Sequence, residues 1–121
     1  MIVVTIDHVA GAVCRAAGIT KADLVKRDRS LGIRAARSAV AYLAKTCCLN
    51  EPSFAEMGTV ICGRPCRNTG ILYFKNGEAA MERTTALSGP DMAIRYLVNA
   101  AHRAIQVSIA WPAGKTQKEI A

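Results

Sequence analysis

Five cysteines are the first residues in this chain whose types and spacing could do chemistry: Cys14, Cys47, Cys48, Cys62 and Cys66. Their number is odd, two are adjacent and no secretion signal accompanies them, so a disulfide framework is not expected. Cys62-Gly-Arg-Pro-Cys66 has a C-x3-C spacing inside the loose range of zinc ligands. Its obvious second half is Cys47-Cys48, and adjacent residues on a helix point about 100° apart. No metal site is therefore expected. His8 and His102 lie far from the cysteines in sequence, which argues against a Cys/His catalytic pair. There is no paired-carboxylate or Ser/His/Asp pattern and no G-x-x-x-x-G-K-[ST] phosphate loop, so neither an enzyme nor a bound cofactor is expected. Asp7/His8 and Glu78/Glu82 read as helix-surface residues.

What remains is a chemistry of recognition. Arg64, Arg67, Asn68 and Thr69 crowd the start of an expected helix. Arginine can pair with guanine O6/N7, asparagine with adenine N6/N7, and threonine with a thymine methyl or a phosphate. The peptide N–H groups of a helix start also favour a phosphate.

Charge supports an anionic partner. The chain has 121 residues, 16 Lys+Arg against 9 Asp+Glu and a net charge of +7. The excess is concentrated early, where Lys21, Lys26, Arg27, Arg29, Arg34, Arg37 and Lys45 outnumber the acids. Such a cluster is the footprint of a polyanion, or more blandly a solvated helix face. Hydrophobic residues make up 51% and aromatics 5%. That composition supports one alanine-rich helical domain and excludes a disordered acidic tail, a fibrous repeat and a multi-domain enzyme. The longest uncharged run, near 104–114, is too short and too broken to span a bilayer. The start of the chain lacks a signal-peptide pattern, which makes the cytoplasm the default location.

The elements that must position these residues are helices. Residues 6–17 show helical spacing, with Gly18 as the stop. Thr20-Lys21-Ala22-Asp23 resembles a capping box and opens a short helical turn with Leu24 and Val25 inward. Ser30 can cap a helix from about 31 to 48, with Ile33, Ala36, Val40, Leu43, Ala44 and Cys47 inward and Arg34, Arg37 and Lys45 off that stripe. Ser53-Phe54-Ala55-Glu56 is a stronger capping box for a helix from 54 to about 61. A turn at Cys62–Pro65 precedes a helix from about 67 to 82, with Ile71, Leu72, Phe74 and Ala79 as core candidates. Ser88-Gly89-Pro90-Asp91 starts a last helix over 90–109 whose expected stripe is Met92, Tyr96, Leu97, Ala100, Ala101, Ala104 and Ile105. The expected organisation is one helical domain over 1–111 and a flexible tail over 112–121.

Residues 53–82 thus have the layout of a helix-turn-helix, in which the second helix enters the major groove of DNA. An ordinary helical hairpin with a polar turn has the same outline.

Three stretches in series resemble the C-terminal DNA-binding domain of the bacterial chromosomal replication initiator DnaA. They are Gly18-Ile19-Thr20-Lys21-Ala22-Asp23-Leu24, Ile33-Arg34-Ala35-Ala36-Arg37-Ser38-Ala39-Val40-Ala41-Tyr42-Leu43-Ala44, and Ser53-Phe54-Ala55-Glu56-Met57-Gly58. The second is similar to the family's "I-x-x-A-R-x-x-A-M-Y-L-A" and the third to its "S-x-x-E-I-G". Gly63-Arg64 follows where the family has "G-G-R-D-H-T-T-V". The resemblance covers about residues 6–76. It implies an all-α, Trp-repressor-like fold with a helix-turn-helix and, here, an additional C-terminal helix. It also implies binding of double-stranded DNA in transcriptional or replication control. Arg64, Arg67, Asn68 and Thr69 would then read bases. Lys26, Arg27, Arg29, Arg34 and Arg37 would hold the backbone. The family's Asp-His-Thr-Thr signature is replaced by Pro65-Cys66-Arg67-Asn68-Thr69-Gly70, and Ala35 stands where the family has a basic residue. The standard initiator box is therefore not the expected target. The family's ATPase motifs are absent from this sequence, so ATP-driven origin melting is not expected.

The alternative is a helical interaction module, a homodimer or adaptor, that does not read DNA. The alanines of the last helix (Ala93, Ala100, Ala101, Ala104) could pack on a second copy or close the chain's own core. No membrane association is expected. If DNA is the partner, Arg64, Arg67 and Asn68 should share one exposed face with Arg27, Arg29, Arg34 and Arg37.

Overall fold

The computed structural model describes residues 4–26, 30–48, 51–82 and 89–110, the side chains as far as 106. Six helices follow in order: α1 (Ile6–Ala17), α2 (Lys21–Val25), α3 (Leu31–Cys47), α4 (Phe54–Cys62), α5 (Arg67–Glu82) and α6 (Gly89–Ala110). No strand occurs among the described residues, and the fold is all-α.

Local chemistry sets the helix ends. Thr5 caps α1 by accepting from the His8 N–H, while the His8 Nδ1 accepts from the Thr5 N–H; histidine takes the place that glutamate has in most capping boxes. The helix stops at Gly18, whose φ of 72° is left-handed. There the Gly18 N–H donates to the Arg15 carbonyl and the Ile19 N–H to the Cys14 carbonyl, a Schellman closure. The Thr20–Asp23 box forms as its spacing predicts: Asp23 N–H donates to Thr20 Oγ1 at 3.2 Å and Thr20 N–H to Asp23 Oδ2 at 2.9 Å. Ser30 holds the N-cap position of α3 through its carbonyl, which accepts from Arg34 N–H at 3.0 Å; its hydroxyl does not make the expected capping bond.

The long α3 runs through the centre, packed against α1, α2, α4, α5 and α6. Its expected stripe is buried, with Cys47 half-buried. Ala35, Arg37, Ser38, Ala39 and Ala41 are buried too, so the helix is enclosed on nearly every side. Alanine makes this possible, because a small side chain lets neighbouring backbones close in. At Gly77 of α5, a Cβ would stand 2.8 Å from both the Ser38 carbonyl oxygen and Tyr42 Cβ.

That close approach corrects the expected core of α5. Its buried positions are Gly70, Gly77 and Ala80. Leu72 and Ala79 are exposed, and Ile71 and Phe74 half-buried, because no room remains on the inner face for larger side chains. In α6 the buried stripe is Ile94, Leu97, Val98, Ala101 and Ile105. Met92 and Tyr96 are 59% and 64% exposed, and Ala104 is also exposed. The stripe is rotated so that the branched Ile94 and Val98 are buried in place of Met92 and Tyr96. Val25, expected inward, is 41% exposed. The last helix packs against α1, α3 and α5 and so closes the chain's own core. The expected tail at 112–121 lies outside the described residues, and no described helix is long and apolar enough to cross a membrane.

Candidate nucleic-acid interface

Two helices and a four-residue connection carry the candidate tip. The α4 helix opens on Ser53, whose Oγ accepts from Glu56 N–H at 3.1 Å and donates to Glu56 Oε1 at 3.3 Å. It ends at Gly63, with a φ of 82°, whose N–H donates to the Thr59 carbonyl at 2.9 Å. Only glycine adopts that conformation without strain. The chain turns through Arg64 and Pro65 and re-enters a helix at Cys66, whose carbonyl accepts from Gly70 N–H at 3.2 Å. Two glycines lock the helices together. A Cβ on Gly58 would collide with the Cys66 backbone, and one on Gly70 with the Phe54 carbonyl. Phe54 and Phe74 meet at 5.7 Å between centroids, and Phe74 stacks on Tyr42 of α3 at 6.5 Å. The first turn of α5 is thereby held rigidly against the core.

Arg64, Arg67 and Asn68 are exposed at this tip. Thr69 is half-buried, and its hydroxyl donates to Cys66 Sγ at 3.0 Å. It shapes the turn instead of presenting itself, which corrects its expected place among the base readers. The same bond, with the Thr69 and Asn68 amides and the Arg64 charge, holds the Cys66 thiol below the usual range. Burial pushes the Cys62 thiol up, partly offset by Arg37. Burial also raises Cys14 and Cys48.

The expected backbone contacts divide. Lys26 is exposed and pairs with Asp23 at 3.0 Å. It lines one concavity with Arg64, Val25, Arg37, Cys62 and Gly63, so the end of α2 and the α4–α5 turn adjoin. Arg34 is exposed on the first turn of α3 and lines a neighbouring groove with Leu72, Tyr73 and Asn76. Arg27 and Arg29 lie outside the described residues. Arg37 is the correction. It is 7% exposed; Nε donates to the Leu24 carbonyl at 2.8 Å, one terminal nitrogen donates to the Lys26 carbonyl and the other to the Tyr73 hydroxyl at 3.3 Å. Its guanidinium satisfies carbonyls at the end of α2, where the helix leaves them without partners of its own. It joins the end of α2 to α5 and does not present itself to solvent. Lys45, part of the expected basic cluster, sits 4.3 Å from the Phe54 ring centroid and 3.8 Å from Glu51.

The exposed stripe of α5 continues beyond the tip. Asn68, Leu72, Lys75 and Asn76 follow at helical spacing, all exposed, with Arg34 beside Leu72 and Asn76. Lys75 and Asn76 are additions to the expected residues. Their positions seven and eight residues after Asn68 are the signal in the sequence that points to them. Asp91 also lines the Arg34 groove. Among the described residues no group of three or more His, Cys, Asp or Glu side chains could hold a metal ion. No family model, curated protein or solved structure matches the chain.

Proposed function

We propose that this chain binds duplex DNA with sequence preference, in the manner of the DnaA C-terminal domain that it resembles, and acts in transcriptional or replication control. The observation that carries the reading is the α4–α5 unit. A glycine-locked turn presents Arg64, Arg67 and Asn68 at the exposed start of a rigid helix. Lys26 adjoins Arg64, and Arg34 lies along the same helix. Arg64, Arg67 and Asn68 can read guanine and adenine edges in a major groove. Lys26, Arg34 and Lys75 supply charge for phosphates. The fold on this reading is the Trp-repressor-like helix-turn-helix with α6 added.

The test is a duplex titration at low salt, followed by selection of bound sequences from random duplexes. Binding that weakens steeply with salt and an enriched site support the reading; no binding at low salt overturns it. Arg67→Ala and Asn68→Ala should each cost about 1–3 kcal/mol on the selected site and relax preference at one position. A second reading, an interaction module or homodimer, is favoured by the exposure of Met92 and Tyr96 on α6. A concentration series in light scattering tests it.

A further inference from the structure

Two thiols sit at opposite ends of the turn that aims α5. Cys62 is the last residue of α4 and Cys66 precedes the first of α5, with only Gly63-Arg64-Pro65 between them. Both are half-buried and neither is in a disulfide. Cys62 opens on the concavity of about 370 Å³ that Lys26, Arg37 and Arg64 also line. A reagent reaching Cys62 therefore meets Lys26 and Arg64, which suits an anionic one, and the Arg64 charge also acts on Cys66.

We propose that Cys62 and Cys66 form a thiol–disulfide exchange site for an anionic low-molecular-weight disulfide of the glutathione class, and that its oxidation disables the α5 tip. The inference rests on the DNA-binding reading for its consequence, not for its chemistry. The attacking sulfur is Cys66. It accepts the Thr69 hydroxyl at 3.0 Å, and this bond with the neighbouring amides favours its thiolate, the nucleophilic form. The Cys66 thiolate attacks one sulfur of glutathione disulfide and the S–S bond breaks. One glutathione leaves and takes up a proton from water, while Cys66 carries the other as a mixed disulfide. Cys62 then gives its proton to water and attacks the Cys66 sulfur, releasing the second glutathione. The two cysteines are oxidised by two electrons and glutathione disulfide is reduced to two thiols. A disulfide holds its α-carbons about 4.4–6.8 Å apart. Closing it ties together the two ends of the segment that carries Arg64 and removes the thiolate that accepts the Thr69 hydroxyl.

The experiment uses the full chain, equilibrated in buffers of oxidised and reduced glutathione and mapped by peptide mass. The expected product is a Cys62–Cys66 disulfide. Cys62→Ser should stop at a Cys66–glutathione adduct. Cys66→Ser, in which serine retains a capping oxygen, should leave Cys62 unmodified. Reaction at Cys47 or Cys48 in preference, or no Cys62–Cys66 link with the helical circular dichroism intact, overturns the site. In a parallel duplex titration the oxidised chain should bind about tenfold more weakly, or worse, than the reduced chain. Equal binding by both forms overturns the regulatory consequence. If even the reduced chain binds no duplex, the DNA reading fails, and mass mapping decides the thiol chemistry independently.

Discussion

Arg37 shows how one side chain can carry an unexpected role. Its charge and its place off the α3 stripe suggest a solvent-facing phosphate ligand. In the fold it directs its donors to the Leu24 and Lys26 carbonyls and to Tyr73. Arg95 does the same at the end of α5, donating to the Ala80 carbonyl at 2.8 Å and the Met81 carbonyl at 3.1 Å. Arg37→Ala should destabilise the protein by about 1–3 kcal/mol per carbonyl left buried without a donor, read in urea unfolding. Asp23 gives a prediction in pH. Its carboxylate is held below the ordinary value of 3.8, first by the Thr20 amide and then by Lys26. A depressed folded pKa contributes stability that is complete above the unfolded pKa and is lost as pH falls through the folded one. Asp23→Asn should therefore remove the part of the acid-side loss of stability that develops below about pH 4. Melting curves of both proteins from about pH 6 down to about pH 2 measure it.

At the scale of elements, α4 and α5 are legible because their punctuation is chemical and local. Ser53 and Glu56 start one helix, a left-handed glycine ends it, and Cys66 begins the next. Which face of α5 turns inward is not local. The inner positions are glycines and an alanine because α3 and Phe54 approach so closely, and Leu72 is left outside. Gly58→Ala separates the two effects. Helix propensity favours alanine by about 1 kcal/mol, whereas the clash with the Cys66 backbone costs about 1–3 kcal/mol. We expect net destabilisation in chemical unfolding. If the recognition reading holds, duplex affinity should fall as well, because the α5 tip loses its fixed angle.

The whole molecule depends on α6. Leu97, Val98, Ala101 and Ile105 complete a core that also contains Val9, Val13, Val40, Leu43, Met57 and Ile61. Leu97→Ala should cost about 2–5 kcal/mol, a large part of the roughly 5–15 kcal/mol that holds a domain of this size, as denaturant unfolding would show. The net charge of +7 makes any duplex binding salt-dependent at this scale too. If the DNA reading holds and Lys75 meets a phosphate, Lys75→Ala should reduce the slope of log K against log salt by about 1.

Composition, caps and apolar spacing suffice to determine an all-helical chain, the positions of its helices and the exposed start of α5. These depend on interactions within a few residues. Only the tertiary structure decides the rotation of α5 and α6, the burial of Arg37 and the alignment of Lys26 with Arg64. Each depends on which backbone approaches from a distant part of the chain, and helical periodicity alone leaves that choice open.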